Sequence, residues 1–251
     1  MDNRQKFTNK VADYVKYRPS YPQAFIEYLV KDVGINKNSA VADVGAGTGL
    51  LTKLLAGKVK SVYAVEPNAR MRAACEEYCK GLENFTAVDG SAEDTNLPDK
   101  SMDFITVAQA FHWFDREKTK IEFQRILKPQ GRVVLVWNSR NPESAVVKEN
   151  DALCRRVCPG FNGFSGGSDI KPDAYSDFFK KGCCEYRVFK NDRMLSLESY
   201  IGSSLSASYA PLPGEGNYQA FIDGLTELFN RYSNNGRLVL PQNTHSYAGE
   251  I

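Results

Sequence analysis

Asp43, the glycine-rich run Gly45–Gly49 and Glu66 are the residues whose types and spacing could do chemistry together. A glycine-rich turn between a strand and a helix lets a polar ligand approach the backbone, with free N–H groups pointing outward. Glu66 ends the next apolar run (VYAVE), where an acid can accept hydrogen bonds from both hydroxyls of a ribose. Two cofactors suit that arrangement, a nicotinamide dinucleotide and S-adenosylmethionine. The dinucleotide fingerprint G-x-G-x-x-G needs a third glycine at position 50, but that position is Leu50 and the glycine comes one early, at Gly49. Asp43, two residues before the loop, is an anion. It is poorly suited to a pyrophosphate and well suited to the ammonium and sulfonium groups of S-adenosylmethionine. Pro67 follows Glu66, and Met71 on the next helix offers adenine a soft apolar wall. The residues therefore favour S-adenosylmethionine.

A second constellation, AQAFHWFD, follows the fourth apolar run. Gln109 can reach the methionine end of such a cofactor. Phe111 and Trp113 can wall the methyl site, where an aromatic face attracts a sulfonium, or pack the loop against the next helix. His112 is the one residue there that titrates near neutral pH, a candidate acceptor-site residue and base. Arg18, between Tyr17 and Pro19, can pair with a carboxylate of cofactor or substrate. Methyl transfer from a sulfonium asks mainly for in-line positioning and desolvation, and needs a base only if the acceptor arrives protonated.

These residues need a frame that brings strand ends together. The runs VADV, VYAVE, FTAV, DFITVAQA and RVVLVW are continuously apolar, as strands covered on both faces are. Helical stretches separate them: LLTKLLAG ending at Gly57, the segment from Asn68, and REKTKIEFQRIL, which Asp115 can cap and Pro129 and Gly131 stop. Strand–helix alternation means parallel β-α-β units and a doubly wound α/β sheet, whose ligands lie at the carboxyl ends of the strands. The expected division is one domain over 1–251. It comprises an N-terminal cap of two short helices (1–35), a cofactor-binding core (36–137), a substrate-side insertion with helices (138–235), and a closing strand (236–251). Residues 138 to about 185 lack the strand–helix beat; Leu197–Tyr232 reads as two helical pieces around APLPGEG.

Composition narrows the partners. The 251 residues carry 32 Lys and Arg against 30 Asp and Glu, a net charge of +2, so nothing advertises nucleic acid or an anionic membrane. No apolar run approaches the about 20 residues that span a bilayer, and the first residues lack the apolar core of a signal peptide. A cytoplasmic monomer or homodimer acting on a small molecule is expected. The six cysteines are no disulfide scaffold. Cys75/Cys79 and Cys154/Cys158 stand at i, i+4, which puts each pair on one helix face; reduced thiols, rather than a metal site, are expected.

With VADVGAGTGLLT, VYAVEPNARM, DGSAED, LPDKSMDFITVAQAFHWFD and LKPQGRVVLVW, plus an early YRPSYP, the chain resembles the class I S-adenosylmethionine-dependent methyltransferases. The likeness is to the small-molecule branch with A-F-H-W-F after the fourth strand, and spans roughly residues 14–137 plus the closing RLVLPQNTHSY. It implies a mostly parallel, seven-stranded Rossmann-like sheet with the last strand antiparallel. It assigns Asp43, Gly45, Ala46 and Gly47 to the methionine part of the cofactor, Glu66 to the ribose, and Ser91, Ala92 and Glu93 to the adenine. Many relatives carry aspartate where this chain has Ser91. The implied reaction is methylation of a small organic acceptor, with a carboxylate suggested by analogy with acid-methylating relatives. The alternatives are a dinucleotide-linked oxidoreductase and a non-catalytic S-adenosylmethionine-binding protein. No Asn/Asp-Pro-Pro-Tyr/Phe or Pro-Cys follows the fourth strand, which disfavours methylation of DNA bases.

Overall fold

The computed structural model describes residues 17, 19–164 and 170–251. Helix α1 (Gln23–Tyr28) runs into a wide turn at Leu29–Val33 and leads to strand β1 (Ala40–Val44). Then follow α2 (Leu50–Ala56), β2 (Ser61–Val65), α3 (Ala69–Tyr78), β3 (Phe85–Val88), β4 (Met102–Ala108), α4 (Arg116–Ile126) and β5 (Leu127–Arg140). This is the alternation the apolar runs predict. The first of the two N-terminal helices expected falls outside the described residues, apart from Tyr17.

The ladders β1–β2, β1–β4, β2–β3 and β4–β5 are all parallel. Both faces are covered, which explains the unbroken apolar runs. Along β5, Val133, Leu135 and Trp137 join a cluster with Phe123 and Ile126 of α4. Val134 and Val136 join another, with Phe25 and Ile26 of α1 and Leu51 and Leu55 of α2. Asp115 caps α4 by accepting the Lys118 N–H, as expected, and Asn68 caps α3 by accepting from Arg70 and Met71. The expected stop of α4 shifts slightly. It ends at Ile126, and Pro129–Gly131 form an irregularity within β5, where Gln130 takes a positive φ.

Beyond Trp137 the chain holds more regular structure than its apolar pattern predicts. A 13-residue helix, α5 (Ala145–Val157), lies in the stretch read as lacking a beat, followed by strand β6 (Glu185–Lys190) and the short β7 (Arg193–Leu195). The two expected helical pieces are α6 (Leu197–Leu205) and α7 (Tyr218–Tyr232). The single closing strand is two: β8 (Leu238–Leu240) pairs antiparallel with β7 in a separate ribbon, and β9 (Gln242–Gly249) enters the large sheet. Pro241 divides them, having no N–H for a ladder. The seven-stranded sheet has the order β3-β2-β1-β4-β5-β9-β6.

The chain forms two compact units. A core unit comprises residues 20–137, 170–189 and 244–251 and holds most of the large sheet. An insert unit comprises 138–164 and 190–243 with Tyr17 and Pro19. It has its own apolar cluster, in which Leu153 and Cys154 of α5, Tyr200 of α6, and Phe221 and Leu225 of α7 are buried with Leu195, Leu238 and Leu240 of the ribbon.

Candidate active site

The strand ends of β1, β2 and β4 assemble the site within the core unit. Asp43, on β1, is 1% exposed. Its carboxylate accepts the Thr52 hydroxyl of α2 at 2.6 Å and the Thr106 hydroxyl of β4 at 2.8 Å. Burial pushes its pKa up to about 6 against the pull of these bonds, and nearby Glu66 adds to the rise. Asp43 is therefore a buried anion tying three elements together.

After Asp43 the chain turns through Gly45, Gly47 and Gly49, all at positive φ. A side chain at Gly49 would meet the Cys75 sulfur at 2.6 Å, so this glycine lets the loop pack on α3. At Gly47 a Cβ would meet nothing within 4 Å, so the loop faces open space there. The loop's N–H groups are less free than the sequence reading assumed. Gly45 and Ala46 donate to Val65 O at 2.9 and 3.1 Å, Gly49 donates to Ala46 O, and Gly47 donates to Glu66 Oε2 at 2.9 Å. Inward bonding to β2 has consumed donors that an anion cradle would present.

Glu66 is 9% exposed, and its other oxygen accepts the Asn68 N–H at 2.9 Å. Burial raises its pKa, while these backbone donors and Arg72 lower it. Arg72 reaches Glu66 O and the Asp89 carboxylate, steadying the strand end. A carboxylate accepts about four hydrogen bonds, so two directions remain on Glu66 for ligand hydroxyls. Pro67 is exposed beside it and Met71 is buried.

In the loop after β3, the Ser91 hydroxyl accepts from the N–H groups of Glu93 and Asp94. The serine thus shapes its own turn. Ala92 is buried, and Glu93 accepts the Asp115 N–H at 2.9 Å, tying this loop to the start of α4.

The segment after β4 packs on the glycine loop: a Cβ at Gly45 would meet Ala110 at 2.6 Å and Phe114 at 3.1 Å. Gln109 holds φ +58, with its N–H donating to Val136 O. A non-glycine residue in that conformation at a strand end is a mark of functional sites. Phe111 does not wall a ligand. It is fully buried, edge-on to Phe178 at 4.6 Å and Tyr175 at 5.7 Å. Its apolar ring is worth more in the core than at a polar site. Trp113 is 47% exposed, and His112 packs against it with ring centroids 4.8 Å apart. The protein crowded around the His112 ring lowers its pKa, although the residue reaches solvent. No carboxylate orients that ring among the described residues. Arg18 lies outside the described residues.

Thr52, Thr106, Asn68 and Arg72 also belong to the site, although their types and spacing do not announce them. The two threonines leave one trace, a hydroxyl within otherwise apolar stretches. Among the described residues no group of three or more His, Cys, Asp or Glu side chains could hold a metal ion. Cys75/Cys79 and Cys154/Cys158 are buried free thiols in separate apolar clusters.

Residues 42–135 match the methyltransferase-domain family model. An uncharacterized methyltransferase of Schizosaccharomyces pombe is 27% identical over 249 residues, covering 97% of this chain and 96% of that protein. An uncharacterized methyltransferase of Mycobacterium tuberculosis is 38% identical over 152 residues, covering 59% of this chain and 58% of its own. Among solved structures, that of a putative type II methyltransferase from Anaeromyxobacter dehalogenans superposes with TM-score 0.61 at 21% identity, covering 93% of this chain and 98% of that one. The YcgJ protein of Bacillus subtilis gives TM-score 0.58 at 21% identity, covering 92% of this chain and 100% of its own. At these identities the structures speak for the fold, a Rossmann-like sheet.

Proposed function

We propose, for a chain that belongs to the class I S-adenosylmethionine-dependent methyltransferases, that the cradle over Gly47 binds S-adenosylmethionine and that a small organic molecule receives the methyl group. The carrying observation is the chemistry of the cradle. Its backbone donors at Gly45, Ala46, Gly47 and Gly49 are used internally, while two buried carboxylates, Asp43 and Glu66, stand at its strand ends. Such a site repels a pyrophosphate and favours a ligand that brings cationic groups and hydroxyls. This argues against a dinucleotide-linked oxidoreductase.

S-adenosylmethionine supplies a methyl group already activated on a sulfonium. The chain's own residues then bind and orient. Glu66 accepts the ribose hydroxyls, Asp43 sets a negative potential through Thr52 and Thr106, and Gly47 leaves room. Gly45, Ala46 and Gln109 line the methionine side. Pro67, Met71, Ser91, Ala92 and Glu93 bound the adenine side. His112 and Trp113 border the acceptor, and burial against the surrounding protein lowers the His112 pKa. Arg18 is assigned to a carboxylate of cofactor or substrate from its sequence position.

No helix among the described residues is long and apolar enough to cross a membrane. A cytoplasmic monomer or homodimer without a nucleic-acid partner suits the near-neutral charge. The test is calorimetric titration with S-adenosylmethionine and S-adenosylhomocysteine, then a metabolite screen for S-adenosylhomocysteine release. Micromolar binding, roughly −7 to −8 kcal/mol, is expected. Absence of heat with both ligands on folded protein overturns the reading; binding without turnover on any acceptor supports a non-catalytic binding protein.

A further inference from the structure

We propose that Arg140 and Gln242 form an anion-recognition site in the insert unit, and that the ligand it takes is a small carboxylate. Arg140 is the last residue of β5 and Gln242 the first of β9, neighbouring strands of the large sheet. The Asn141 N–H donates to Pro241 O at 2.9 Å, so both residues stand one position from the same hydrogen bond. Each carries a nitrogen, Nη1 of Arg140 and Nε2 of Gln242, that is shielded from solvent and has no hydrogen-bond partner among the described residues.

Unpaired buried donors are costly, and an unpaired buried cation more so. The acids on neighbouring α5 do not answer Arg140: Glu149 is taken by Arg231 and Tyr232, and Asp151 by Arg155. The guanidinium lies over the Phe164 ring, with its carbon 4.0 Å from the ring centroid. Its charge is felt at the buried Cys154 thiol and Tyr200 hydroxyl. Burial pushes each up to about 12, and Arg140 draws both down. Two donor groups of this kind on adjacent strand ends ask for a ligand that only accepts. A guanidinium's planar fork matches the two oxygens of a carboxylate.

The site stands on the geometry of the insert unit alone and does not rest on the methyltransferase reading. Neither residue stood out in the sequence, because a strand-end arginine reads as a solvated charge.

The experiment is thermal unfolding of the full chain against succinate, inorganic phosphate and chloride at fixed ionic strength, with wild type, Arg140→Met and Arg140→Lys. Saturating succinate is expected to raise the wild-type Tm by about 2–4 °C relative to chloride. Arg140→Met should abolish the shift, and Arg140→Lys should need about tenfold more succinate, having lost the planar fork. An equal shift in wild type and Arg140→Met, or no saturable shift in wild type with either anion, overturns the site. Stabilisation by phosphate alone overturns the carboxylate assignment. If Arg140→Met does not fold, equal succinate responses in Arg140→Lys and wild type overturn the proposal. Titration of the same proteins with S-adenosylhomocysteine separates the two readings: its failure on wild type removes the cofactor assignment and leaves the anion response standing.

Discussion

The carboxylate of Glu66 accepts the Gly47 N–H at 2.9 Å, so the end of β2 holds the glycine loop in place with the group proposed to bind ribose. Glu66→Ala is expected to weaken S-adenosylhomocysteine binding by about 1.5–3 kcal/mol through loss of a charged acceptor. Glu66→Gln should lose less, because an amide oxygen can still take one of the bonds. Isothermal titration of both variants checks this, and unchanged affinity in a folded Glu66→Ala protein would move the ribose elsewhere.

Asp43 makes stability depend on pH in an unusual direction. Its pKa of about 6 in the folded chain exceeds the ordinary 3.8, so the folded state holds the proton more tightly. Its contribution is therefore lost as pH rises from about 4 through about 6, by about 3 kcal/mol in all. Asp43→Asn should flatten that part of the profile in urea unfolding. A cationic ligand favours the ionised form, so S-adenosylmethionine affinity should rise across the same interval in wild type and not in the variant.

The glycine loop offers a paired test. Gly49→Ala combines φ +81 with a 2.6 Å approach to the Cys75 sulfur, and should destabilise the fold by about 2–4 kcal/mol. Gly47→Ala meets open space and should cost about 1 kcal/mol in stability for its positive φ. Its added methyl should nonetheless reduce cofactor binding. Denaturant midpoints and calorimetry distinguish the two effects, and a Gly47→Ala protein of full affinity would clear the loop of a role in binding.

For His112 we expect His112→Ala to raise the acceptor KM while kcat falls by less than about tenfold, with the pH profile unchanged in shape. A ring that reaches solvent, with no carboxylate among the described residues to orient it, suits a wall of the acceptor site. A fall in turnover of two to four powers of ten, with loss of the acid limb of the profile, would instead mark it as the base. Steady-state kinetics between pH 5 and 9 decides between them.

The core unit could be read from the chain because its strands are unbroken apolar runs, and Asp115 and Gly57 mark helix ends. Helix α5 escaped because Asn150 sits on its buried face, beside Val146, Val147, Leu153 and Cys154, and interrupts the apolar period. It hydrogen-bonds to the Tyr200 hydroxyl, a partner 50 residues away that no local pattern signals. Strand β6 is partly exposed along its length and has no continuous apolar run. In the site, the acids and glycines announced themselves by type. Their engagement did not, because the saturation of the loop's donors by Val65 and Glu66 depends on how β1 and β2 register.

Strand β9 lies between β5 and β6, although roughly a hundred residues of chain separate it from β5, a span that slows pairing through the entropy of loop closure. Most of that span belongs to the insert unit, which has an apolar cluster of its own. If those residues collapse first, the loop that sheet completion must close becomes effectively short. Substitutions in the α5–α7 cluster should then slow acquisition of the large sheet, and this order of events makes the insert unit a folding accelerator for a sheet that lies mostly outside it.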